Sequence, residues 1–234
     1  LETRNAELDA FAHTVAHDLK TPLTVVVGRG HALRDHIADM PPEMVIDWLG
    51  SIVKAGHKMA DIIDALLLLA NVRQKTDIET APLDMAAIVD AVLERLENRT
   101  ATAAVEIIKP AAWPTAIGYA PWIEEVWANY ISNALKYGGD PARVTLGAES
   151  DGAMARFWVR DNGPGLTPEQ QAQLFTQFTR LDGTQAEGHG LGLSIVQRIV
   201  EKLGGRGGVA SDGEEAGSTF WCTLPLAERE HAEG

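Results

Sequence analysis

The sequence predicts an α+β protein in which a long antiparallel helical hairpin precedes an α/β sandwich with a mixed sheet. Over two long N-terminal stretches, apolar residues recur every three to four positions, as they do in amphipathic helices. From about residue 84 onward, short helical patterns are interleaved with strand-like segments joined by tight turns. We therefore expect four parts: the hairpin at 1–72, a linker at 73–83, the sandwich at 84–227 and a C-terminal tail at 228–234.

The first helix is expected from about residue 2 to about residue 38, and His17 lies outside its apolar stripe. With Leu1 at heptad position a, positions a, d and e hold Leu8, Phe11, Ala12, Val15, Leu19, Pro22, Val25, Val26 and Leu33. His17 falls on the polar face, where a lone histidine is usually only solvated. Asp18 can hold one imidazole N–H and keep the other nitrogen basic, and Pro22 loosens the helix one turn later. His17 is therefore a candidate nucleophile.

His13 lies one turn before His17, and histidines at this spacing can share a metal ion. No third ligand is visible nearby in the sequence, so simple solvation of His13 is the favoured interpretation.

The second helix should follow the break at Asp39–Pro42 and run from Glu43 to about Asn71. Each helix would be about 45 to 55 Å long at 1.5 Å per residue. A hairpin of this length cannot bury both apolar stripes by itself. We therefore expect a homodimer in which two hairpins form a four-helix bundle.

Beyond the linker, the pattern predicts three further helices and five strands in alternation. The helices are expected at 84–99, 121–137 and 191–203, and the strands at 104–109, 142–149, 154–160, 206–211 and 218–224. A Gly-rich segment without periodicity separates the strand at 154–160 from the last helix.

Composition narrows the class of partner and the compartment. The chain has 234 residues, 45% hydrophobic and 23% charged, and a net charge of −13, which argues against nucleic acid or an anionic membrane surface. The only cysteine, Cys222, cannot form an internal disulfide, so a reducing, cytoplasmic location is expected. No apolar run approaches the about 20 residues of a membrane span. Because the chain opens without Met and already in heptad phase, we expect a piece of a longer protein, whose anchoring in a membrane the sequence leaves open.

Three stretches of the second part carry candidate chemistry. On a helix, Asn129, Asn133, Lys136 and Tyr137 share one face, where amide oxygens suit Mg²⁺ and the lysine suits phosphate. Arg160–Leu166 follows a strand and offers a carboxylate among glycines, and Glu187–Leu193 is a Gly-rich run that opens a helix. Singly, these stretches could be a polar helix face, a turn and a loop. Their order makes coincidence improbable.

On the basis of these stretches, the chain resembles the catalytic core of a sensor histidine kinase. The stretch around His17 is similar to the phosphoacceptor box of that family, and the three stretches resemble its N, G1 and G2 boxes. Residues 174–181 resemble its F box, and Gly217–Phe220 its closing strand. The resemblance covers nearly all of residues 8–225 and implies ATP and Mg²⁺ as cofactors.

The resemblance also implies roles on the phosphoacceptor side. His17 would be phosphorylated, with Asp18 as the assisting base, and Thr21 matches the position that orients water when such proteins dephosphorylate their partner. Arg180 matches a position expected to reach the γ-phosphate.

On the nucleotide side, the resemblance implies that Asn133 binds Mg²⁺, Lys136 meets phosphate and Tyr137 covers the base. Asp161 would accept a hydrogen bond from the adenine amine with support from Thr219, and residues 173–190 would form a lid. The implied ATP-binding residues are Asn129, Asn133, Lys136, Tyr137, Asp161, Gly163, Gly165, Gly188, Gly190, Leu191, Gly192 and Thr219.

The chain departs from the family pattern at three places. It reads Asp18-Leu-Lys20 where Glu-Leu-Arg is commoner, His189 stands between glycines, and Tyr119 occupies a position that is often acidic. Related gyrase- and chaperone-like ATPases have a water-activating glutamate where this chain has Asn129, and an amide cannot act as a general base. Transfer to histidine is therefore favoured over hydrolysis.

Two alternatives stay open from the sequence. The chain could be a nucleotide-binding dimerisation module without turnover, or its output could be mainly phosphatase activity, which Thr21 permits. The partners implied by the resemblance are a response regulator that docks below His17 and a sensor domain upstream of Leu1. Phosphorylation within one subunit or between subunits depends on the handedness of the hairpin, which the sequence does not determine.

Overall fold

A computed structural model describes residues 2–75, 77–97, 105–174, 191–213 and 216–227 of the chain. The chain divides into two compact units, Leu1–Asn71 and Val72–Gly234. Among the described residues, no helix combines the length and the apolar character needed to cross a membrane.

The first unit consists of two long helices, as the three-to-four spacing of apolar residues predicts. Helix α1 spans Glu2–His36 and helix α2 spans Pro42–Gln74, with a short 3-10 turn at Ile37–Asp39 between them. The predicted break is confirmed. The second helix begins one residue earlier than predicted, at Pro42, because proline fits the first turn of a helix, where its missing N–H is not needed.

Helix α2 has two apolar stripes on opposite sides. Ala55, Ile62 and Leu69, spaced seven residues apart, are the buried residues of one stripe. The second stripe is exposed, and its large apolar residues are Ile46, Leu49, Val53, Ile63 and Leu67. Exposed apolar stripes of this length on a helix are typical of a surface that meets another protein.

The second unit has a five-stranded mixed sheet. In chain order its elements are β1 (Ala81–Pro82), α3 (Met85–Glu97), β2 (Glu106–Ile108), β3 (Ile117–Gly118), α4 (Ala120–Tyr137), β4 (Arg143–Asp151), β5 (Met154–Arg160), α5 (Pro168–Gln173), α6 (Gly192–Lys202), β6 (Gly207–Ala210) and β7 (Thr219–Pro225). The strand order is β2-β4-β5-β7-β6, with β2 parallel to β4 and the other neighbours antiparallel. The predicted α/β sandwich with a mixed sheet is confirmed.

The helices cover one face of this sheet. Strands β5 and β7 alternate strictly between buried and partly exposed side chains, as expected when one face meets the core. The core combines the buried strand residues with apolar residues of the helices: Val144, Leu146, Phe157, Val159, Cys222 and Leu224 with Ile123, Trp127, Ile131, Ile195 and Ile199.

Two parts of the second unit differ from the prediction. The segment predicted as a linker at 73–83 begins inside α2 and ends in β1, whose Ala81 and Pro82 pair with Gly118 and Ile117 of β3. A helical conformation is disfavoured at Ala81 because it precedes a proline. The pairing continues at Leu83, whose N–H donates to the carbonyl oxygen of Ala116 at 2.9 Å. The sequence pattern also does not predict the short helix α5, although Thr167 and Gln170 form a capping box at its start.

The last turn of α2 belongs to the second unit and is capped by a lysine of α6. Val72 is fully buried, and Lys202 Nζ donates to the carbonyl oxygens of Val72 at 2.5 Å and of Arg73 at 3.3 Å. A cation at the carboxyl end of a helix satisfies free carbonyl groups and offsets the helix dipole.

Replacing Lys202 with Met is therefore expected to lower the free energy of unfolding of the second unit by about 1 to 2 kcal/mol. Urea denaturation followed by tryptophan fluorescence measures this change. Arg198→Met is the matched control, because Arg198 lies on the same helix and has no hydrogen bond or ion pair to the part of the chain that the structure describes. Equal midpoints for the two variants would show that the cap contributes nothing.

Candidate functional site

His17 is the exposed histidine predicted as a nucleophile. Its side chain is 71% exposed, and its Nδ1 lies 3.3 Å from Oδ1 of Asp18, whose side chain is only 13% exposed. A carboxylate can only accept a hydrogen bond, so this contact holds the imidazole proton on Nδ1 and leaves the lone pair on Nε2. Thr21 lies one turn further on and donates from Oγ1 to the carbonyl oxygen of His17 at 3.2 Å.

The polar face predicted on α4 is present. Asn133 Nδ2 donates to Asn129 Oδ1 at 3.2 Å, and both amides are partly buried. The Asn133 Oδ1 accepts no hydrogen bond from the described residues, so an amide oxygen is free for a cation. Lys136 is exposed and Tyr137 half-buried at the end of the same helix.

The amino terminus of α6 lies directly against this face. A Cβ atom on Gly192 would come within 1.8 Å of Asn129 Nδ2, so only glycine allows this approach. Leu191, which precedes the helix, is 2% exposed and packs in the core. The first N–H groups of α6 therefore lie near the two asparagines. Gly188, Gly190 and Arg180 lie outside the described residues, as does the predicted lid beyond Leu174.

Asp161 is a buried carboxylate held by backbone donors. It is 5% exposed, and its Oδ1 accepts hydrogen bonds from Gly163 N–H at 2.9 Å and Ser218 N–H at 3.0 Å. Burial raises the pKa of Asp161 above its ordinary value, while the two N–H groups and the charge of Arg160 act in the opposite direction. Oδ2 takes no part in these two contacts, so it can accept a hydrogen bond from a ligand.

The predicted glycines bring the surrounding loops close together. A Cβ on Gly163 would lie 2.1 Å from the carbonyl oxygen of Tyr137, at the end of α4. Gly165 has a φ of +77°, and a Cβ there would lie 2.0 Å from the carbonyl oxygen of Gly213. The loop after β5 therefore contacts both the end of α4 and the loop before β7.

Thr219 is the predicted residue that the structure does not bring to this cluster. It pairs with Arg160 across β5 and β7, and side chains alternate between faces along a strand. Phe220, next to it, points into the helical layer, so Thr219 lies on the opposite face of the sheet. Ser218, which is 6% exposed, is the neighbouring residue that contacts Asp161, and it does so through its backbone N–H.

Sequence reasoning also missed two polar side chains that hold the loops. Ser211 Oγ accepts from Leu166 N–H at 3.0 Å and donates to the Gly217 carbonyl oxygen at 2.7 Å. Asn162, inside the predicted stretch at Arg160–Leu166, bonds to the loop after α4. Neither contact is local in sequence, so no residue spacing could have indicated it.

The side chains present suit a metal ion whose ligands are mostly water molecules and substrate oxygens. The described residues contain no group of three or more His, Cys, Asp or Glu side chains that could hold a metal ion. Mg²⁺ commonly binds proteins through only one or two side chains and completes its shell with water and substrate phosphates. The Asn133 oxygen beside the start of α6 is compatible with that mode.

Comparison with known proteins identifies both units. Residues 7–75 match the His Kinase A (phospho-acceptor) domain, and residues 118–228 match the histidine kinase-, DNA gyrase B-, and HSP90-like ATPase family. The methanogenesis regulatory histidine kinase FilI of Methanothrix harundinacea is 30% identical over 227 residues, which are 96% of this chain. This chain spans 25% of the length of that relative and 30% of the length of the cyanobacterial phytochrome B of Nostoc sp..

Two solved structures resemble the chain over most of its length. Full-length ShkA in complex with AMPPNP superimposes with a TM-score of 0.66 and 27% identity, covering 92% of this chain and 45% of that one. The histidine kinase ThkA in complex with the response regulator TrrA has a TM-score of 0.75 and 18% identity, covering 97% of this chain and 64% of that one. At this identity, the second comparison establishes the fold alone.

Proposed function

Because the chain belongs to the histidine kinase family, in which a phospho-acceptor domain is joined to an ATP-binding domain, we propose that it phosphorylates itself on His17 and passes the group to a response regulator. The observation that carries this proposal is the contact between Asp18 and Nδ1 of His17 on an otherwise exposed side chain. It leaves Nε2 basic and accessible to both donor and acceptor of a phosphoryl group.

The chemistry follows from this arrangement. The Nε2 lone pair attacks the γ-phosphorus of ATP, the bond from that phosphorus to the bridging oxygen breaks, and ADP leaves. Asp18 stabilises the positive charge that develops on the imidazole by accepting the Nδ1 hydrogen bond, and it takes the Nδ1 proton as the phosphohistidine forms. Little other covalent chemistry is required of the protein, so positioning and charge neutralisation dominate.

The second unit supplies the nucleotide site in this proposal. Asp161 accepts the adenine amine through Oδ2, Lys136 attracts the phosphates, and the free N–H groups at the start of α6 add donors. Asn133 would hold Mg²⁺, which supplies charge neutralisation of the phosphates. The similar protein ShkA was crystallised in complex with AMPPNP, an ATP analogue, and this supports ATP as the donor.

The amide at position 129 favours a kinase over an ATPase. Asn129 Oδ1 accepts a hydrogen bond from Asn133, and an amide has no basic site to activate water. Asn129 therefore supplies no base that could activate water for ATP hydrolysis, and His17 is the nucleophile that we propose.

Incubation with Mg²⁺ and γ-labelled ATP tests the proposal. The chain should acquire label that is lost in acid and kept in base, as expected of a phosphoramidate, and should then transfer it to an isolated receiver domain. Full nucleotide affinity without such label would favour the binding module without turnover.

A phosphatase activity is a second candidate because Thr21 lies one turn from His17, on the same exposed part of α1. Decay of a phosphorylated receiver domain should slow when Thr21 is replaced with Ala, while labelling of His17 continues.

We further propose that two copies associate through the exposed stripe of α2, whose large apolar residues extend from Ile46 to Leu67. A cytoplasmic location belongs to the same proposal, because the cytoplasm supplies ATP and keeps thiols such as Cys222 reduced.

The response regulator as partner is supported by family membership and by the complex of ThkA with the response regulator TrrA. The stimulus and the sensor domain belong to the full-length protein.

Replacing Leu49 and Ile63 together with Glu is expected to weaken self-association by at least about 100-fold, because each change would bury a carboxylate. Light scattering over a concentration series measures the effect, and ATP affinity should be unchanged. Asp61→Lys, on an exposed position of α2 outside the stripe, is the control for altered charge. A double variant that stays dimeric at the wild-type concentration would place the interface elsewhere.

A further inference from the structure

Asn162 occupies the loop after β5, next to Asp161, and its side chain reaches across to the loop that follows α4. Oδ1 accepts hydrogen bonds from Gly139 N–H at 3.1 Å and from Arg143 N–H at 2.8 Å. Nδ2 donates to the carbonyl oxygen of Pro141 at 2.9 Å. One exposed side chain thus satisfies two backbone groups of the segment that joins α4 to β4 and the N–H of the first residue of β4.

The segment that Asn162 holds would otherwise have few restraints of its own. It reads Gly138-Gly-Asp-Pro-Ala142, and paired glycines give a chain many accessible conformations. Gly138 N–H closes the helix by donating to Ala134 at 2.9 Å. The hydrogen bonds from Gly139 and Arg143 that follow both go to the Asn162 side chain.

The two loops are in backbone contact on either side of Asn162. A Cβ on Gly139 would come within 2.7 Å of the Asn162 carbonyl oxygen, and a Cβ on Gly163 within 2.1 Å of the Tyr137 carbonyl oxygen. Glycine at both positions allows the loops to touch, and the Asn162 amide locks the contact with directional bonds.

From this geometry we propose that Asn162 is a positioning residue for the nucleotide, which fixes the end of α4 relative to Asp161 and so sets the distance between the base-binding and phosphate-binding groups. Asp161 and Asn162 are adjacent: the first faces the adenine amine, and the second anchors the helix end that carries Lys136 and Tyr137. Asn162 acts through these residues and touches no part of the nucleotide itself. The inference rests on the proposed ATP site.

The expected effect is on nucleotide affinity more than on turnover. Without the Asn162 amide, the end of α4 samples other conformations, and each binding event must order it again. Once nucleotide is bound, its own contacts hold Lys136 and Tyr137 in place. Replacing Asn162 with Ala should therefore raise the KM for ATP about 10-fold, while kcat for labelling of His17 changes by less than about two-fold.

The experiment uses the full chain with Mg²⁺ and ATP, and it measures the Kd by calorimetry, KM and kcat by initial rates of labelling, and Tm by calorimetric scanning. Asn162→Asp keeps an oxygen that accepts from Gly139 and Arg143 but loses the donor to Pro141. Its Kd for ATP should therefore lie between the Kd values of the wild type and of Asn162→Ala. Gln197→Ala is the matched control, because it removes a side-chain amide of the same unit whose described bond is an exposed contact to Glu201 at 3.0 Å.

A graded rise of Kd across the two Asn162 variants, with kcat maintained and the control at the wild-type value, supports the proposal. A lower Tm with an unchanged Kd would overturn it, since the role would then be purely structural. If the Ala variant does not fold, the Asp variant decides by the same criterion. Because Kd is measured directly, absence of phosphohistidine in a chain that binds ATP would overturn the proposed kinase function and leave this inference standing.

Discussion

Replacing His17 with Gln should abolish labelling of the chain by γ-labelled ATP, a loss of at least about 10⁴-fold in rate. The glutamine amide nitrogen has no basic lone pair, so no nucleophile replaces Nε2. The His17 side chain is 71% exposed, and the free energy of unfolding should change by no more than about 0.5 kcal/mol. Mass spectrometry of the wild type should locate the phosphate on the peptide that contains His17.

The control for this variant is one turn away. His13 is also exposed on α1 and has the same chemistry, but Asp18 contacts the ring of His17. His13→Gln should be labelled at the wild-type rate, and both variants should bind ATP with wild-type affinity. Label that persists in His17→Gln, or that disappears in His13→Gln, contradicts the assignment. An equal loss in both would favour a shared metal ion.

The long elements are predictable from the sequence because their periodicity is strong. Apolar residues at three-to-four spacing define α1 and α2, and alternation defines β5 at Met154–Arg160, the range found in the structure. The two-residue strands β1 and β3 are too short for any period, and they pair across 35 positions from Pro82 to Ile117. Such pairings depend on tertiary contacts, which is why the sequence pattern indicates only a linker here.

The residues of the candidate site also differ in whether the sequence predicts them or tertiary contacts determine them. Asp161 and Gly192 are identifiable from the chemistry and spacing of their motifs. The structure adds the reasons: one carboxylate oxygen of Asp161 accepts from two N–H groups, and Gly192 lies too close to Asn129 for any residue with a Cβ atom. Thr219, predicted to support Asp161, lies on the opposite face of the sheet, because a shift of one residue in a strand exchanges the two faces. Resemblance of a motif does not fix that register; the pairing of Thr219 with Arg160 does.

Asp161→Asn is the second change with a large expected effect, and it should reduce ATP affinity by about 10² to 10³-fold. The amide oxygen can still accept from Gly163 and Ser218, so the loop geometry is kept. The Nδ2 group would then stand where Oδ2 accepts the adenine amine, and two donors would face each other in a buried site. Calorimetric titration with ATP and Mg²⁺ measures the loss, and labelling of His17 should fall at subsaturating ATP.

The same substitution should leave the fold intact or make it more stable, which separates a lost ligand contact from misfolding. Burial raises the pKa of Asp161, so the native state holds this proton at pH values where the unfolded chain has released it. In the wild type this group therefore lowers the free energy of unfolding as pH rises from the ordinary aspartate value through the raised one. Above that interval its cost is constant.

The amide variant has no proton to lose at position 161, so its stability relative to wild type should increase between about pH 4 and about pH 7. Denaturant unfolding at both pH values measures the difference. A variant that is less stable than wild type at neutral pH would mean that the ionised carboxylate contributes more to the loop through its two N–H bonds than burial costs it. The affinity loss would then be attributable to the loop as well as to the adenine contact.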